Sequence, residues 1–391
     1  MDDVFVSRGS VIRVCLYAVI FFLFLELSLN FSVHRKTYKM VSSPRRILTT
    51  LEDSSRFSLI VNFSDPCGWM QNATIRDLQK IMDRGCKPVR VCSSSPSDLV
   101  GSLATYKEAP SYKEMIKIYP LVRPGGLYTP PDCIARERVA IIIPFRDREE
   151  HLRILLHNLH PMLQRQQLDY GIYVVEQENG TQFNRAMLMN IGYAESIKIY
   201  NYTCFVFHDV DLIPENDRIM YDCRDSPRHL SSAVDKFKYK LPYPQLFGGV
   251  TAIKRAHFEK VNGHSNKFFG WGGEDDDMFR RLVNNGFKIS RYQASLSRYK
   301  MIKHLHDAGN KANKRRHHLI KTGKGRYRRD GINNLHYKKL GIEYQYLHTR
   351  ILVSINETKV MTVSLLYMYS STTVYILVNI YTIYCRRRNI R

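Results

Sequence analysis

Apolar and polar segments alternate through the middle of the chain in a pattern that predicts an α/β domain. Residues 139–143 form a continuous apolar run that Pro144 ends, as is typical of a buried strand. Residues 149–166 then place leucines at helical spacing. The alternation continues with strands predicted at residues 171–175 and 204–208 and a helix at 185–198 between them. Such alternation favours a largely parallel sheet, so we expect ligands at the carboxyl ends of the strands.

Long uncharged segments lie near both ends of the chain. Residues 14–33 are long and apolar enough to span a bilayer, and we interpret them as a signal-anchor helix after a cytoplasmic tail at 1–13. Residues 34–91 have little periodicity, which favours a stem, and the compact domain is predicted at 92–358. Residues 360–385 contain no charge and precede a basic tail at 386–391, so a second span and a buried or interfacial segment both fit them.

Sequons and cysteines indicate a secretory address for the part of the chain after the anchor. Five Asn-x-Ser/Thr sequons would be usable only in the lumen, at Asn62, Asn72, Asn179, Asn201 and Asn356. An even set of cysteines lies between the hydrophobic segments without a paired CxxC zinc spacing, namely Cys67, Cys86, Cys92, Cys133, Cys204 and Cys223. We therefore predict disulfides in a lumenal domain.

The charge balance at first suggests a nucleic-acid-binding protein, because the formal net charge is +23 over 391 residues. The basic excess is concentrated in residues 298–329, where Asp307 is the only acid. A lumenal chain meets no nucleic acid, so an anionic sugar nucleotide or anionic lipid head groups fit this segment better, with a solvated basic loop as the alternative. The content of 44% hydrophobic and 12% aromatic residues argues against wholesale disorder.

A glycine-rich turn followed by four acids carries the strongest chemical signal, in the run Trp271-Gly272-Gly273-Glu274-Asp275-Asp276-Asp277. Adjacent carboxylates repel one another and seldom pack in a core, while glycines allow the close approach that a ligand site needs. A solvated acidic turn is the alternative, since acids also suit the start of a helix. The tryptophan and a second acidic motif upstream favour the ligand site.

That second motif, Asp209-Val210-Asp211, follows the third predicted strand, and strand alternation places its two carboxylates on one face. Oxygen ligands of this kind suit Mg²⁺ or Mn²⁺ bridging a diphosphate. Met301 and His304, three residues apart as on a helical turn, would complete the site and favour Mn²⁺, although such residues are more often structural.

Two strand-to-helix turns offer aromatic and guanidinium groups for a uridine nucleotide. The turn after the first strand contains Pro144-Phe145-Arg146-Asp147-Arg148, and the second helix opens with Phe183-Asn184-Arg185. Arginine forks bind phosphate groups well, and the aromatic rings offer a face for uracil. Ordinary turns with exposed charges are the alternative for both segments.

Together with Phe247-Gly248-Gly249-Val250, these motifs resemble the β-1,4-galactosyltransferase family over roughly residues 92–355. The resemblance implies an α/β domain of the GT-A fold, with a Rossmann-like and mostly parallel central sheet, on a type II Golgi membrane anchor. It implies Mn²⁺, a UDP-sugar donor and inversion of the anomeric centre by direct displacement. It also implies the disulfides Cys92–Cys133 and Cys204–Cys223.

Carried over position by position, the resemblance assigns Asp275 as the general base and Asp211, Met301 and His304 as manganese ligands. It places Trp271 on a mobile loop that closes over the donor and excludes water, and it matches residues 302–324 with a long flexible loop. The implied donor-binding residues are Pro144, Phe145, Arg146, Arg148, Phe183, Asn184, Arg185, Val210, Asp211, Leu246, Trp271, His304 and His306. The implied acceptor-binding residues are Gly272, Gly273, Glu274, Asp275, Asp276, Arg316, His317 and Ile320.

Three positions depart from the family pattern. Leu246 stands where galactose-specific members have Tyr, and it opens space at C2 of the donor, as in invertebrate β-1,4-N-acetylgalactosaminyltransferases; a neutral exchange is the alternative. His306 matches the His-x-His metal pair of the xylose-acceptor branch, whereas Met301 and Gly273 favour the branch that uses GlcNAc acceptors. His317 replaces a Phe of the pocket for the acceptor's N-acetyl group.

The resulting hypothesis is a lumenal Golgi enzyme that moves GalNAc from UDP-GalNAc to the 4-hydroxyl of a terminal GlcNAc on glycoproteins or glycolipids. The first alternative is a β-1,4-galactosyltransferase that uses UDP-Gal with GlcNAc, glucose or xylose acceptors. The second is a catalytically silent sugar-binding membrane glycoprotein. The membrane is one expected partner, a homodimer or an accessory membrane protein is left open, and nucleic acid is not expected.

Overall fold

The computed structural model describes residues 90–303 and 310–362, which form an α/β domain around one large mixed sheet. Its central strands are β2 (Arg138–Phe145), β3 (Asp169–Gln177), β4 (Cys204–His208) and β12 (Thr349–Ser354). They lie in the order β12-β3-β2-β4, and every adjacent pair is parallel. The predicted α/β class, with its mostly parallel centre, is confirmed.

Antiparallel strands extend the parallel centre on both sides. On one side β11 (Lys338–Tyr344) pairs with β12, and the short β1 (Leu127–Tyr128) pairs with β3. On the other side β8 (Val250–Lys254) pairs with β4, followed by β6 (Arg228–His229) and then β9 (Ser290–Arg291), which is parallel to β6. A small second sheet has the order β5 (Leu212–Pro214), β10 (Arg298–Met301) and β7 (Ala233–Val234).

The central sheet is covered on both faces, which explains why β2 reads as an unbroken apolar run. Val139, Ile141 and Ile143 pack in the same cluster as the leucines of α2 (Glu149–Arg165). The alternate residues Ala140 and Ile142 pack with α3 (Arg185–Ile199). Because successive strand residues face opposite sides, α2 and α3 cover opposite faces of the sheet.

Four further α-helices lie within the described ranges, and two of them reach the candidate site. They are α1 (Tyr112–Ile118), α4 (Arg255–Lys260), α5 (Glu274–Asn284) and α6 (Arg316–Arg326). Short 3₁₀ segments occur at Asp235–Phe237, Tyr327–Arg329 and Ile332–Asn334. Helices α5 and α6 pack against each other, and α5 begins with the acidic turn.

Met301 lies at the end of strand β10 and not on a helical turn, so that sequence expectation is wrong. The segment is extended because it pairs antiparallel with β5, with Met301 opposite Leu212, and parallel with β7. These partners are distant in sequence, so the local spacing of Met301 and His304 does not indicate the strand pairing.

Both disulfides implied by the resemblance are present, Cys92–Cys133 and Cys204–Cys223. The sequon residues Asn179, Asn201 and Asn356 are exposed, as glycosylation would require. Asn62, Asn72, Cys67 and Cys86 lie outside the described residues. Their modification and pairing stay predictions.

The segments predicted at 1–13 and 14–33 lie outside the described residues, as do almost all of 34–91 and of 360–385 and the whole of 386–391. Among the helices within residues 90–303 and 310–362, none has the length and apolarity needed to cross a bilayer. The anchor, the second span and the boundaries of the stem stay predictions.

Candidate active site

The acidic turn opens helix α5, and its fourth acid is separated from the other three by its packing. Gly273 precedes the helix with a φ of 95°, a conformation that glycine adopts without strain. Asp277 is 1% exposed and accepts hydrogen bonds from Arg281 Nε at 2.7 Å and Arg326 Nη2 at 3.4 Å. Asp277 therefore joins α5 to α6, which leaves three carboxylates for a ligand.

Asp275 lies directly against the glycine turn that precedes β8. A Cβ atom placed on Gly248 would come within 2.8 Å of Asp275 Oδ2, so a larger residue at this position would force one of the two to move. Asp275 Oδ1 accepts a hydrogen bond from the Asp276 backbone N–H at 3.0 Å. The predicted base is thus fixed between the start of α5 and the Phe247-Gly248-Gly249 turn.

Glu274 is half-buried beside Asp275, and one of its carboxylate oxygens has no hydrogen-bond partner among the described residues. Its Oε1 accepts a 3.4 Å hydrogen bond from Arg185 Nη1. Its Oε2 has no hydrogen-bond partner within the described residues, although its side chain is only 13% exposed. Burial and the Asp275 carboxylate raise the pKa of Glu274 to about 7. A buried acceptor without a partner is costly, so this oxygen fits a donating hydroxyl of a bound ligand.

Tyr243 belongs to this acid cluster, and sequence reasoning missed it. Its side chain, which is 38% exposed, lies near the carboxylate of Asp276. Burial, followed by the charges of Asp275 and Asp276, raises the pKa of Tyr243. Burial and Asp275 also raise the pKa of Asp276. The signal that could have revealed Tyr243 is its position in the Tyr-Pro pair just before Leu246.

The two acids of the Asp-Val-Asp motif have different environments. Asp209 forms a 2.6 Å ion pair with Arg185, the first residue of α3. Burial raises the pKa of Asp209 even though Arg185 opposes the shift. Asp211, which is 8% exposed, lies between β4 and β5. Arg185 therefore holds Asp209, and the assignment of Asp211 as a metal ligand stays a prediction.

Asp211 and Met301 lie at the same end of the small sheet. Met301 is opposite Leu212, the residue after Asp211, and the Ile302 N–H donates to the Asp211 carbonyl at 2.8 Å. The Met301 N–H donates to Asp235 Oδ1 at 2.9 Å, which fixes the end of the strand. The third predicted ligand, His304, lies outside the described residues, as does the predicted donor-binding residue His306.

The predicted uridine-binding residues divide into buried and accessible groups. Pro144 and Phe145 are buried, and the Arg350 guanidinium lies 5.1 Å from the centre of the Phe145 ring. Asn184 is fully buried, and its side chain caps α3 by accepting from Met187 N–H at 2.9 Å. These contacts give Phe145 and Asn184 structural roles. A direct contact of either residue with the donor stays a prediction.

Arg146 and Phe183 form the accessible pair at the carboxyl ends of the strands. The Arg146 guanidinium lies 5.0 Å from the centre of the Phe183 ring and donates to the Thr181 carbonyl at 2.8 Å. Arg148 is half-buried at the start of α2, and Val210 is half-buried between the two acids of its motif. A base or a phosphate can reach the Arg146–Phe183 pair from solvent.

Trp271 joins the glycine turn to the basic segment that leads into α6. It is 56% exposed, its N–H donates to the Lys311 carbonyl at 2.9 Å, and its carbonyl accepts from Asn313 N–H at 2.9 Å. The Arg316 guanidinium lies 5.7 Å from the centre of the indole ring. Two backbone hydrogen bonds therefore connect the residue that bears this large exposed side chain to the segment before α6.

The predicted acceptor residues meet where α6 packs on the glycine turn. A Cβ on Gly272 would lie 3.4 Å from Arg316 Nη1. A Cβ on Gly273 would lie 3.0 Å from Arg316 Cβ and 3.2 Å from Ile320 Cδ1. His317 is exposed, and its Nε2 accepts from Arg316 Nε at 3.4 Å. The structure thus brings Arg316 and Ile320 to the acidic turn, with His317 at the surface.

A second group with metal-like spacing in the described residues consists of Glu137, Cys204 and Cys223. The two cysteines form a disulfide, so they offer no thiolate to a metal. Glu137 instead accepts from the Cys223 N–H at 2.7 Å. This group is structural.

Comparison with known proteins identifies the relatives of the chain. Residues 92–224 match the N-terminal region of glycosyl transferase group 7, and residues 228–305 match the family described as the N-terminal domain of galactosyltransferase. Beta-1,4-galactosyltransferase 1 of Mus musculus is 48% identical over 272 residues, which cover 69% of this chain and 68% of that protein. The Homo sapiens protein of the same name is 49% identical over 265 residues, covering 68% and 67%.

Solved structures also resemble the chain. The catalytic domain of Drosophila beta1,4-galactosyltransferase 7, in complex with xylobiose, has 28% sequence identity and a TM-score of 0.48. The match covers 56% of this chain and 94% of that one. A mutant of the same Drosophila protein, in complex with manganese, UDP-Gal and xylobiose, has 27% identity and a TM-score of 0.48, with the same coverage.

Proposed function

The chain belongs to the glycosyl transferase group 7 family and is a glycosyltransferase, and we propose that it makes a β-1,4 linkage from a UDP-sugar of the galactose series to a terminal GlcNAc. The observation that carries the proposal is the approach of Asp275 to Gly248, because it joins an acid cluster to the turn that carries Leu246. The names of the relatives support the galactose series.

Manganese is the metal that fits the ligands of this site. Asp211 offers a hard carboxylate and Met301 a thioether at the end of the adjacent strand, and His304 would supply an imidazole. This mixed set suits Mn²⁺ better than Mg²⁺ or Ca²⁺, which prefer oxygen ligands alone. When bound, the metal would offset negative charge on the departing UDP.

The acid cluster would perform proton transfer and orientation. Asp275 accepts the proton of the acceptor 4-hydroxyl as that oxygen attacks the anomeric carbon, and UDP leaves from the opposite face, which inverts the centre. Glu274 Oε2 and Asp276 hold sugar hydroxyls, and Arg185 keeps Glu274 and Asp209 in place. Trp271 covers the donor and excludes water that would otherwise hydrolyse it.

Two donors remain candidates, and different observations favour them. UDP-Gal is favoured by the names of the relatives. UDP-GalNAc is favoured by Leu246, which stands where the family pattern of galactose-specific members has Tyr. Leu246 lies half-buried, two residues before the glycine that contacts Asp275. A smaller side chain without a hydroxyl at this position leaves room for an N-acetyl group at C2 of the donor.

The deciding experiment measures transfer by the purified full chain with Mn²⁺, a GlcNAc-terminated acceptor and each donor in turn. A preference for UDP-GalNAc that Leu246→Tyr shifts towards UDP-Gal supports UDP-GalNAc as the donor. A clear preference for UDP-Gal in the native chain would contradict it. Leu340→Tyr, on the edge strand β11, is the matched control and leaves the preference unchanged. Binding of UDP-sugar without transfer to any acceptor would favour the sugar-binding glycoprotein.

We also propose that the protein is a type II Golgi membrane protein with a lumenal domain. The apolar segment at 14–33, five sequons and the two disulfides support this location. Glycosidase treatment of protein from cells tests it. A shift in mobility that becomes smaller when Asn179 and Asn201 are replaced by Gln would support a lumenal domain, and the absence of any shift for the native chain would oppose it.

A further inference from the structure

Arg291 connects the sheet to the turn that carries Leu246. It lies on strand β9, which pairs in parallel with β6, so that Arg291 is opposite His229. Its Nε donates to His229 Nδ1 at 3.2 Å. Its Nη2 donates to the carbonyl of Pro244 at 2.8 Å and to that of Leu246 at 2.9 Å. One guanidinium therefore bridges a sheet strand and two carbonyls on either side of Gln245.

The segment held by Arg291 is a four-residue turn. The Leu246 N–H donates to the Tyr243 carbonyl at 3.2 Å, and Pro244 occupies the second position, which proline favours. Immediately after the turn, Phe247 is 2% exposed, and its ring centre lies 6.0 Å from that of His229. Gly248 then contacts Asp275. The position of this turn therefore affects both the residue at the donor's C2 and the approach to the base.

The partners of Arg291 are suited to positioning and not to charge neutralisation. In the described part of the chain they are two carbonyl oxygens and an imidazole, with no carboxylate among them. Burial, and then the charge of Arg291, lowers the pKa of His229 to about 3, so its ring is neutral and Nδ1 accepts. A planar guanidinium can direct bonds to several acceptors at once, which a lysine ammonium on a flexible stem does less well.

We propose that Arg291 is a positioning residue for donor selectivity, which holds the 243–246 turn so that Leu246 keeps a fixed place beside C2 of the donor. This inference rests on the proposed function, because it assumes that Leu246 faces the donor. It follows that loss of the guanidinium fork would reduce discrimination between UDP-Gal and UDP-GalNAc more than it reduces affinity for both.

The test measures the dissociation constants of UDP-Gal and UDP-GalNAc for the full chain with Mn²⁺, by titration calorimetry without acceptor. For Arg291→Lys we expect the ratio of the two constants to move towards unity by about three- to tenfold, the scale of one or two lost hydrogen bonds. A purely structural weakening would reduce both affinities equally and leave the ratio unchanged.

Arg228→Lys is the matched control. Arg228 lies on β6 opposite Ser290, pairs with Asp222 at 2.5 Å and stacks 4.3 Å from the Tyr292 ring centre. It supports the same two-strand pairing, and within the described residues its side chain contacts Asp222 and Tyr292, which lie outside the turn. We expect Arg228→Lys to keep the native ratio of donor affinities. An equal shift in both variants would overturn the proposal.

Two further measurements separate the possible failures. If Arg291→Lys does not fold, Gln245→Gly loosens the same turn between the two held carbonyls and should give the same loss of discrimination. A native ratio in the folded variant would overturn the role of Arg291 alone. A native chain that binds neither donor would overturn the proposed function as well. Leu246→Tyr should also shift the ratio less in Arg291→Lys than in the native chain.

Discussion

At the scale of single residues, Gly248 sets the distance between the glycine turn and the predicted base. Gly248→Ala should lower kcat, because the new Cβ would lie 2.8 Å from Asp275 Oδ2 and one of them must move. Displacement of a catalytic group by about 1 Å can cost roughly a hundredfold in rate. Steady-state kinetics with saturating donor and acceptor measures the effect.

The control for this exchange is Gly325→Ala in α6. A Cβ on Gly325 would meet no atom within 4 Å, and alanine favours a helix. We expect kcat to stay native and the melting temperature to rise slightly, since the exchange is worth about 0.5–1 kcal/mol. Equal losses of kcat in both variants would show that the approach of Gly248 to Asp275 is not what matters.

Asp275→Asn tests the base itself. The amide cannot accept the acceptor's proton, so we expect kcat to fall by about 10²- to 10⁴-fold. Donor affinity measured with Mn²⁺ and the melting temperature should stay near native, because Asp277 and not Asp275 makes the buried contacts between α5 and α6. Full turnover with normal manganese binding would contradict the assignment.

Residue chemistry alone predicted which residues form this cluster, but not which of its acids have structural roles and which are available to a ligand. The four acids and the Asp-Val-Asp motif are visible in the sequence. The structural role of Asp277 depends on Arg326, which is 49 residues away, and that of Asp209 on Arg185. Contacts of this range leave no local pattern.

At the scale of elements, Glu195 joins helix α3 to the segment that forms β11. Its carboxylate accepts from Lys198 at 2.5 Å, from Tyr337 at 2.5 Å and from Lys339 at 2.8 Å. Burial alone would raise the pKa of Glu195, but these hydrogen bonds outweigh it and lower the pKa from 4.5 to about 2. The folded state therefore prefers the ionised form.

A pH-dependent contribution to stability follows from this shift. It is complete above the unfolded pKa of 4.5 and is lost as the pH falls towards the folded value of about 2. Glu195→Gln should lower the free energy of unfolding at pH 7 by about 1–2 kcal/mol, after allowance for solvent screening, and by less at pH 3. Denaturant unfolding at both pH values measures this. Glu178→Gln, at an exposed position, is the control and should change neither value.

The elements that periodicity predicted are those long enough to show a repeating pattern of residues that face the core. They are strands β2, β3 and β4 and helices α2 and α3. Strands β6, β7 and β9 contain two residues each, and β10 is extended only because β5 and β7 flank it. Their formation depends on pairing with distant segments, which explains both the wrong helical expectation for Met301 and the missed role of Arg291.

At the scale of the whole molecule, the candidate site is assembled from four segments distant in sequence. They are the end of β4 with Asp211, the turn at 243–249, the start of α5 and the end of β10 with Met301. The small sheet joins the first to the last, and Gly248 joins the second to the third. A ligand that bridges these segments should therefore stabilise the entire fold.

The effect of manganese on the melting temperature measures how far a bound ligand stabilises the fold. A metal that binds only the folded state at about 100 times its dissociation constant adds about 2.7 kcal/mol, so we expect the melting temperature to rise by several degrees with MnCl₂ and to return with EDTA. Asp211→Asn should abolish most of the rise because it removes the carboxylate ligand. Asp98→Asn, an exposed acid outside these four segments, should keep it. An equal rise in Asp211→Asn would mean that manganese stabilises the protein elsewhere, and the metal assignment of Asp211 and Met301 would fail.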